Sequence, residues 1–137
     1  MSDLKPELSE KSKYHLSKHR YYELRHFCLQ YPDWKKQVAM LGQPQTPEFL
    51  DRFQKASGLP NPTERIAIMR AALTNNMADI EDAALQADRE LAEYILVGVT
   101  EGKSFENLKA SMEIPCERDM YYDRYRKFFW LLDKNRT

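Results

Sequence analysis

The sequence predicts an all-α fold: an N-terminal helical arm and a long helix, followed by a tri-helical helix-turn-helix. Three observations predict it. Apolar residues recur at steps of three and four along most of the chain. Val, Ile and Thr are sparse, and no clean two-residue alternation runs through the chain. Helix-starting and helix-ending residues flank the periodic stretches. A length of 137 residues suits one domain, or one domain with an arm, and allows an apolar core without metal or disulfide staples.

The first helix begins near Ser17, whose hydroxyl suits an N-cap. Tyr21, Leu24, Cys28 and Tyr31 then form one helical stripe. Pro32 breaks or kinks that helix and fits the first turn of the next segment, Asp33 to Leu41, with Trp34, Val38 and Leu41 on one face. Six Gly and Pro residues punctuate the stretch from Gly42 to Pro62. It reads as a long connection with a short helical turn around Phe49 to Phe53. Asn61-Pro62-Thr63-Glu64 combines a cap, a proline at the first helical position and an acid at the positive end of the dipole. The helix it starts runs to about Gln86. Its heptad-like seam is Ile66, Met69, Leu73, Asn76, Ile80 and Ala83, suited to antiparallel packing on the first helix or to pairing with another protomer as a homodimer.

Asp88 caps the next helix, Arg89 to about Thr100, which buries Leu91, Tyr94, Ile95 and Val99 and stops at Gly102. Ser104 caps a short helix, Phe105 to about Met112. Glu113-Ile114-Pro115 makes a turn, and the last helix covers Cys116 to about Asp133. Helix, helix, tight turn and longer helix is the helix-turn-helix order. Ile114 is placed to pin the corner, and Tyr121, Tyr125, Phe128 and Leu132 form the inward stripe. The chain thus divides into an arm at 1–41, a Pro/Gly-rich linker at 42–61, a long helix at 62–87 and a DNA-binding region at 88–137.

Charge is balanced overall, with 21 basic and 21 acidic residues, but it is uneven. Residues 1–36 carry +3, residues 37–101 carry −5 and residues 102–137 carry +2. A zero total argues against a coat on nucleic acid and leaves room for a small basic site. The basic and polar residues early on the last helix are where base edges come within reach. Arg118, Tyr122 and Arg126 are the expected base contacts, and Lys103, Lys109, Arg124 and Lys127 the expected phosphate contacts. Asp119 and Asp123 share the helix and weaken its field.

The stretch SFENLKASMEIPCERDMYYDRYRKFFWLLDK, Ser104 to Lys134, resembles the end of a group of small phage and prophage proteins of Gram-positive bacteria. The matching residues include Ile114-Pro115-Cys116, Asp119, Tyr121, Tyr122, Arg124 and the run from Arg126 to Leu132. YYELRHFCLQYPDWKK near the N-terminus resembles the aromatic-rich start of the same proteins. The group is similar to RinA-type and ArpU-type late-gene transcriptional regulators, whose C-terminal part is akin to region 4 of sigma-70 factors. The resemblance implies a transcriptional regulator of phage or prophage genes. It would act on double-stranded DNA in the cytoplasm of a bacterial host, with bacterial RNA polymerase as a further partner. Tyr125 stands where the relatives often carry Arg, and Glu117 where a small residue is common.

Other chemistry finds little support. His15 and His19 share a helix face, but a zinc site lacks a third ligand and a base, so no metal or other cofactor is expected. Cys116 lies near a helix start without a positioned base, Cys28 reads as core, and no catalytic constellation emerges. The longest uncharged apolar run, Tyr94 to Val99, is far short of the roughly 20 residues of a membrane span. The N-terminus lacks the apolar core of a secretory signal. Two alternatives stay open: a DNA-packaging subunit of the small terminase type, and a protein-protein interaction module without DNA binding.

Overall fold

The structure, a computed structural model, describes residues 13–43, 46–57 and 61–136. Among these the chain is all-α, with no strand. The helices are α1 (Lys18–Leu29), α2 (Tyr31–Leu41), α3 (Pro47–Ser57), α4 (Pro62–Ala87), α5 (Ala92–Glu101), α6 (Phe105–Met112) and α7 (Arg118–Asn135). None is long and apolar enough to cross a membrane. The start of the expected arm, residues 1–12, lies outside the described residues, as do Pro44, Gly58 and Pro60 of the expected linker.

The contacts divide the chain into two compact units. One joins the residues up to Tyr31 with those from Ala78 onward, and the other is Pro32–Met77. In the second unit the expected long connection is corrected. It holds the 11-residue α3, not a short turn around Phe49 to Phe53. Pro47 opens this helix with its ring pre-set for the first turn, and Asp51 and Lys55 pair across one turn at 3.1 Å. Asn61 caps α4 as expected, its Oδ1 accepting the Glu64 N–H at 3.1 Å. The heptad seam is only partly a buried face: Ile66, Ile80 and Ala83 are buried, while Met69 is 38% exposed.

The first unit carries the aromatic core. Ser17 caps α1 by accepting the Arg20 N–H at 3.2 Å, and Tyr21, Leu24 and Cys28 turn inward as the stripe requires. α1 packs chiefly against α5 and α7. Gly102 ends α5 at φ 67° and Ser104 caps α6 by accepting the Asn107 N–H at 3.2 Å. α7 presents Tyr121, Phe128, Phe129 and Leu132 inward, each 1% exposed or less. Tyr21 sits edge-on to Phe129 at 5.2 Å between centroids, and its hydroxyl shares a 2.6 Å hydrogen bond with Tyr125. Tyr31 begins α2 and donates its hydroxyl proton to Glu81 of α4 at 2.5 Å.

Two features of this core are testable. The Tyr121 hydroxyl is buried with no hydrogen-bond partner among the described residues, and a Cβ on Gly98 would overlap it. Gly98→Ala should destabilise the protein by about 1–3 kcal/mol through overpacking. Tyr121→Phe alone should be neutral or stabilising, since it removes an orphaned polar atom, and together with Gly98→Ala it should recover most of the loss. Urea unfolding of the four proteins checks this.

The second feature is alkaline sensitivity. Burial, then the hydrogen bond and charge of Glu81, push Tyr31 from its ordinary 10.0 up to about 12. Burial also raises Tyr121 and Tyr125. Each folded phenol therefore keeps its proton where the unfolded chain loses it, so stability is intact below pH 10 and falls as pH rises toward 12. The urea midpoint should drop between about pH 9 and about pH 11, and Tyr31→Phe should reduce the drop.

Candidate nucleic-acid interface

The expected site depends on the corner between α6 and α7. Glu113 takes the left-handed conformation at φ 54°, where glycine costs least, and its N–H bonds back to Lys109. Ile114 follows, 5% exposed, and closes the apolar corner. Glu117 then starts α7 from an extended conformation without a side-chain cap. Sequence spacing located all three elements, with α7 starting two residues later than expected.

The corner brings some of the expected contact residues to the surface and withholds others. Tyr122 is corrected: it is 7% exposed, not an outward base contact. Its hydroxyl accepts the Phe105 N–H at 3.3 Å, satisfying a donor at the start of α6 that would otherwise be buried unpaired. The phase of α7 explains the difference. The inward arc is wide, because Tyr121, Tyr122, Phe128 and Phe129 are all buried, so a residue adjacent to the expected stripe is drawn inside.

The arginines near the start of α7 reach the surface already paired. Arg118 forms an ion pair with Glu106 of α6 and stacks over the Tyr122 ring at 4.9 Å. The Glu106 hydrogen bond is the main reason its guanidinium holds its proton more tightly than usual. Arg124 donates to Asp88 at 3.0 Å and also to Asp123. Asp88 does not cap α5 as expected: the helix begins at Ala92 and not at Arg89, and Asp88 instead closes the turn ahead of it, its Oδ1 accepting the N–H groups of Glu90 and Leu91, at 2.9 and 3.1 Å, while Oδ2 holds Arg124. One carboxylate therefore fixes both the approach to α5 and the side of α7.

The remaining cations are less committed. Lys103 pairs with Glu101 at 3.5 Å, and exposed Lys109 lies over the Phe105 ring at 5.9 Å. Arg126 and Lys127, both partly exposed, make no hydrogen bond or ion pair among the described residues. Sequence reasoning missed Trp130 and Lys134, which share the outer side of α7, Lys134 Nζ lying 3.8 Å from the Trp130 ring centroid. The four-residue spacing of the pair is the available signal in the sequence.

Neither cysteine is activated. Burial, then Asp88 and Glu117, raise the Cys116 thiol, outweighing Arg124 and reversing the effect expected of a helix start. Burial raises Cys28 further. Among the described residues no group of three His, Cys, Asp or Glu side chains could hold a metal ion. An open hollow of about 270 Å³ in the second unit is lined by Leu41, Gln43, Leu50, Thr63 and Ile66, none of which titrates.

The arrangement defines an all-α chain whose distinctive surface is a short helix, a left-handed corner and a longer helix with a mixed-charge outer side. Compared with known proteins, the chain matches no protein family, no curated protein and no solved structure.

The Asp88 junction yields a stability prediction. Asp88→Ala should cost about 1–2 kcal/mol through the unpaired N–H groups of the turn ahead of α5, with a further loss because Arg124 keeps only Asp123 as a partner. Asp88→Asn keeps the oxygen that accepts these N–H groups and should cost less. Thermal melts of both variants against the wild type measure the difference.

Proposed function

We propose that α5, α6 and α7 form a helix-turn-helix that binds double-stranded DNA in a sequence-specific way, and that the protein regulates transcription of phage or prophage genes. The corner carries this reading: left-handed Glu113, buried Ile114 and the Tyr122 bond to the start of α6 hold a short and a long helix across a turn. The turn, Glu113 to Glu117, is a little longer than the common form. The regulatory role rests on the resemblance of the chain's two ends to RinA-type and ArpU-type regulators.

On this reading Arg126 takes a base edge, Lys109 and Lys127 take phosphates, and Arg118 and Arg124 contribute after leaving their carboxylates. Those ion pairs favour a second reading, an interaction module that contacts a protein such as RNA polymerase without DNA. A carboxylate beside each arginine cancels charge that a phosphate would need.

Fluorescence anisotropy against fragments from the protein's own genomic neighbourhood, with random DNA as competitor, tests the proposal. Specific binding with a steep negative salt dependence is expected. Arg126→Ala should weaken binding to the specific fragment by about 1–3 kcal/mol and leave random DNA less affected. Absence of binding at low salt overturns the DNA reading in favour of the interaction module. A closed ring in light scattering, in place of a monomer or dimer, favours a packaging subunit.

A further inference from the structure

The outer side of α7 changes sign along its length. Between Glu117 and Arg124 three carboxylates accompany two arginines, and both arginines are ion-paired. Between Arg126 and Arg136 four cations accompany a single carboxylate, Asp133, which is itself bound to Arg20 at 2.6 Å. Arg136 is held by Asp79 at 3.0 Å. Arg126, Lys127 and Lys134 have no carboxylate partner among the described residues. Trp130 lies three or four residues from each of them, the spacing that groups side chains on a helix surface.

The surroundings of Trp130 differ from those of the core aromatics. Its ring is partly exposed and meets Tyr14 edge-on at 5.6 Å, while Lys13 Nζ lies 5.0 Å from the Tyr14 centroid. Lys134 rests on the Trp130 ring, not on an acid, so its contact orders the ammonium without cancelling its charge. The result is a strip in which cation, flat apolar ring and cation succeed one another along α7. Lys127 and Lys134 are separated by about 10 Å of helix.

We propose that this strip, Lys127–Trp130–Lys134, is a clamp for the sugar-phosphate backbone of duplex DNA, with Arg126 beside it left to the base edge. The inference rests on the DNA-binding reading and adds where the affinity comes from. A nucleic-acid strand alternates anionic phosphates with apolar sugar, which is the alternation the strip presents. The C-terminal part of a recognition helix meets the backbone in homeodomains, so the placement is mechanically available to α7. The two lysines each neutralise one phosphate, and Trp130 spaces them and covers the intervening sugar. An acidic peptide would satisfy the lysines but leave the ring without a matched partner.

The test uses the full chain, a fluorescein-labelled random duplex of about 20 base pairs and salt from about 50 to 200 mM. Lys127→Ala/Lys134→Ala should fold as the wild type by circular dichroism and flatten the slope of log K against log salt by about 1.8, the value for two lost phosphate contacts. Added duplex should change the tryptophan emission of the wild type and not that of Trp130→Phe, because the other tryptophan, Trp34, is only 7% exposed. If the wild type binds but the double variant keeps the same slope, the clamp is overturned and the DNA reading stands. If the wild type fails to bind even at the lowest salt, both are overturned. Binding of labelled polyglutamate that the double variant loses, with duplex binding unaffected, assigns the strip to an acidic protein and also overturns the clamp.

Discussion

The phenolic hydroxyls enclosed between α1, α5 and α7 are the constraint on which the first unit depends. A tyrosine contributes a large apolar ring, but a polar atom comes with it, and burying that atom is costly unless it finds a partner. Tyr21 and Tyr125 solve this by bonding to each other at 2.6 Å, across more than a hundred residues of sequence. Tyr122 solves it by accepting an N–H at the start of α6, and Tyr31 by donating to Glu81. Each solution fixes two helices at once, because a hydrogen bond fails when its ends move by an ångström, whereas apolar packing tolerates some sliding. Tyr121 lacks such a solution and is accommodated by the absence of a side chain at Gly98. The position of α7, and hence of any surface it presents, is therefore set by polar atoms inside an aromatic core.

That core also dictates which residues of α7 remain for function. The buried residues of α7, from Tyr121 to Leu132, occupy one inward arc, and the outward arc begins near Asp119. On the N-terminal half of that arc the protein has used its arginines to tie helices together: Arg118 to α6, and Arg124 to Asp88 ahead of α5. These pairs are partly exposed and contribute modestly to stability, but they hold the corner residues in register. Beyond Arg124, α7 meets α1 through aromatic packing, the Tyr21–Tyr125 hydrogen bond and the Arg20–Asp133 bridge. Its remaining cations are left to the surface.

Much of the fold was legible because local rules carry it. The caps at Ser17, Asn61 and Ser104, the stop at Gly102 and the inward stripe of α7 are all set by residues within a few positions of one another. α3 was less legible, because prolines and glycines around Pro47–Ser57 masked a helix that uses one of those prolines as its first residue. The candidate site was legible only as a location. Tyr122 and Phe105 are 17 positions apart, and Asp88 and Arg124 are 36 apart, so no periodicity announces either contact. Helix phase says which way a side chain leaves the backbone, but not whether a carboxylate from another helix is waiting for it.

The same point bears on what net charge means here. Twenty-one bases and 21 acids sum to zero, which taken alone argues against binding a polyanion. A ligand, however, meets the charges that remain uncommitted within about a Debye length, or roughly 8–10 Å at ordinary salt. Fold-internal pairing removes Arg20, Arg118, Arg124 and Arg136 along with Asp133, Glu106, Asp88 and Asp79. This subtraction is neutral overall, but it leaves the start of α7 with Asp119 and its end with Arg126, Lys127 and Lys134. A molecule that is neutral by composition thus acquires a positive end on one helix, because the acids nearest to it are occupied in holding the helices together.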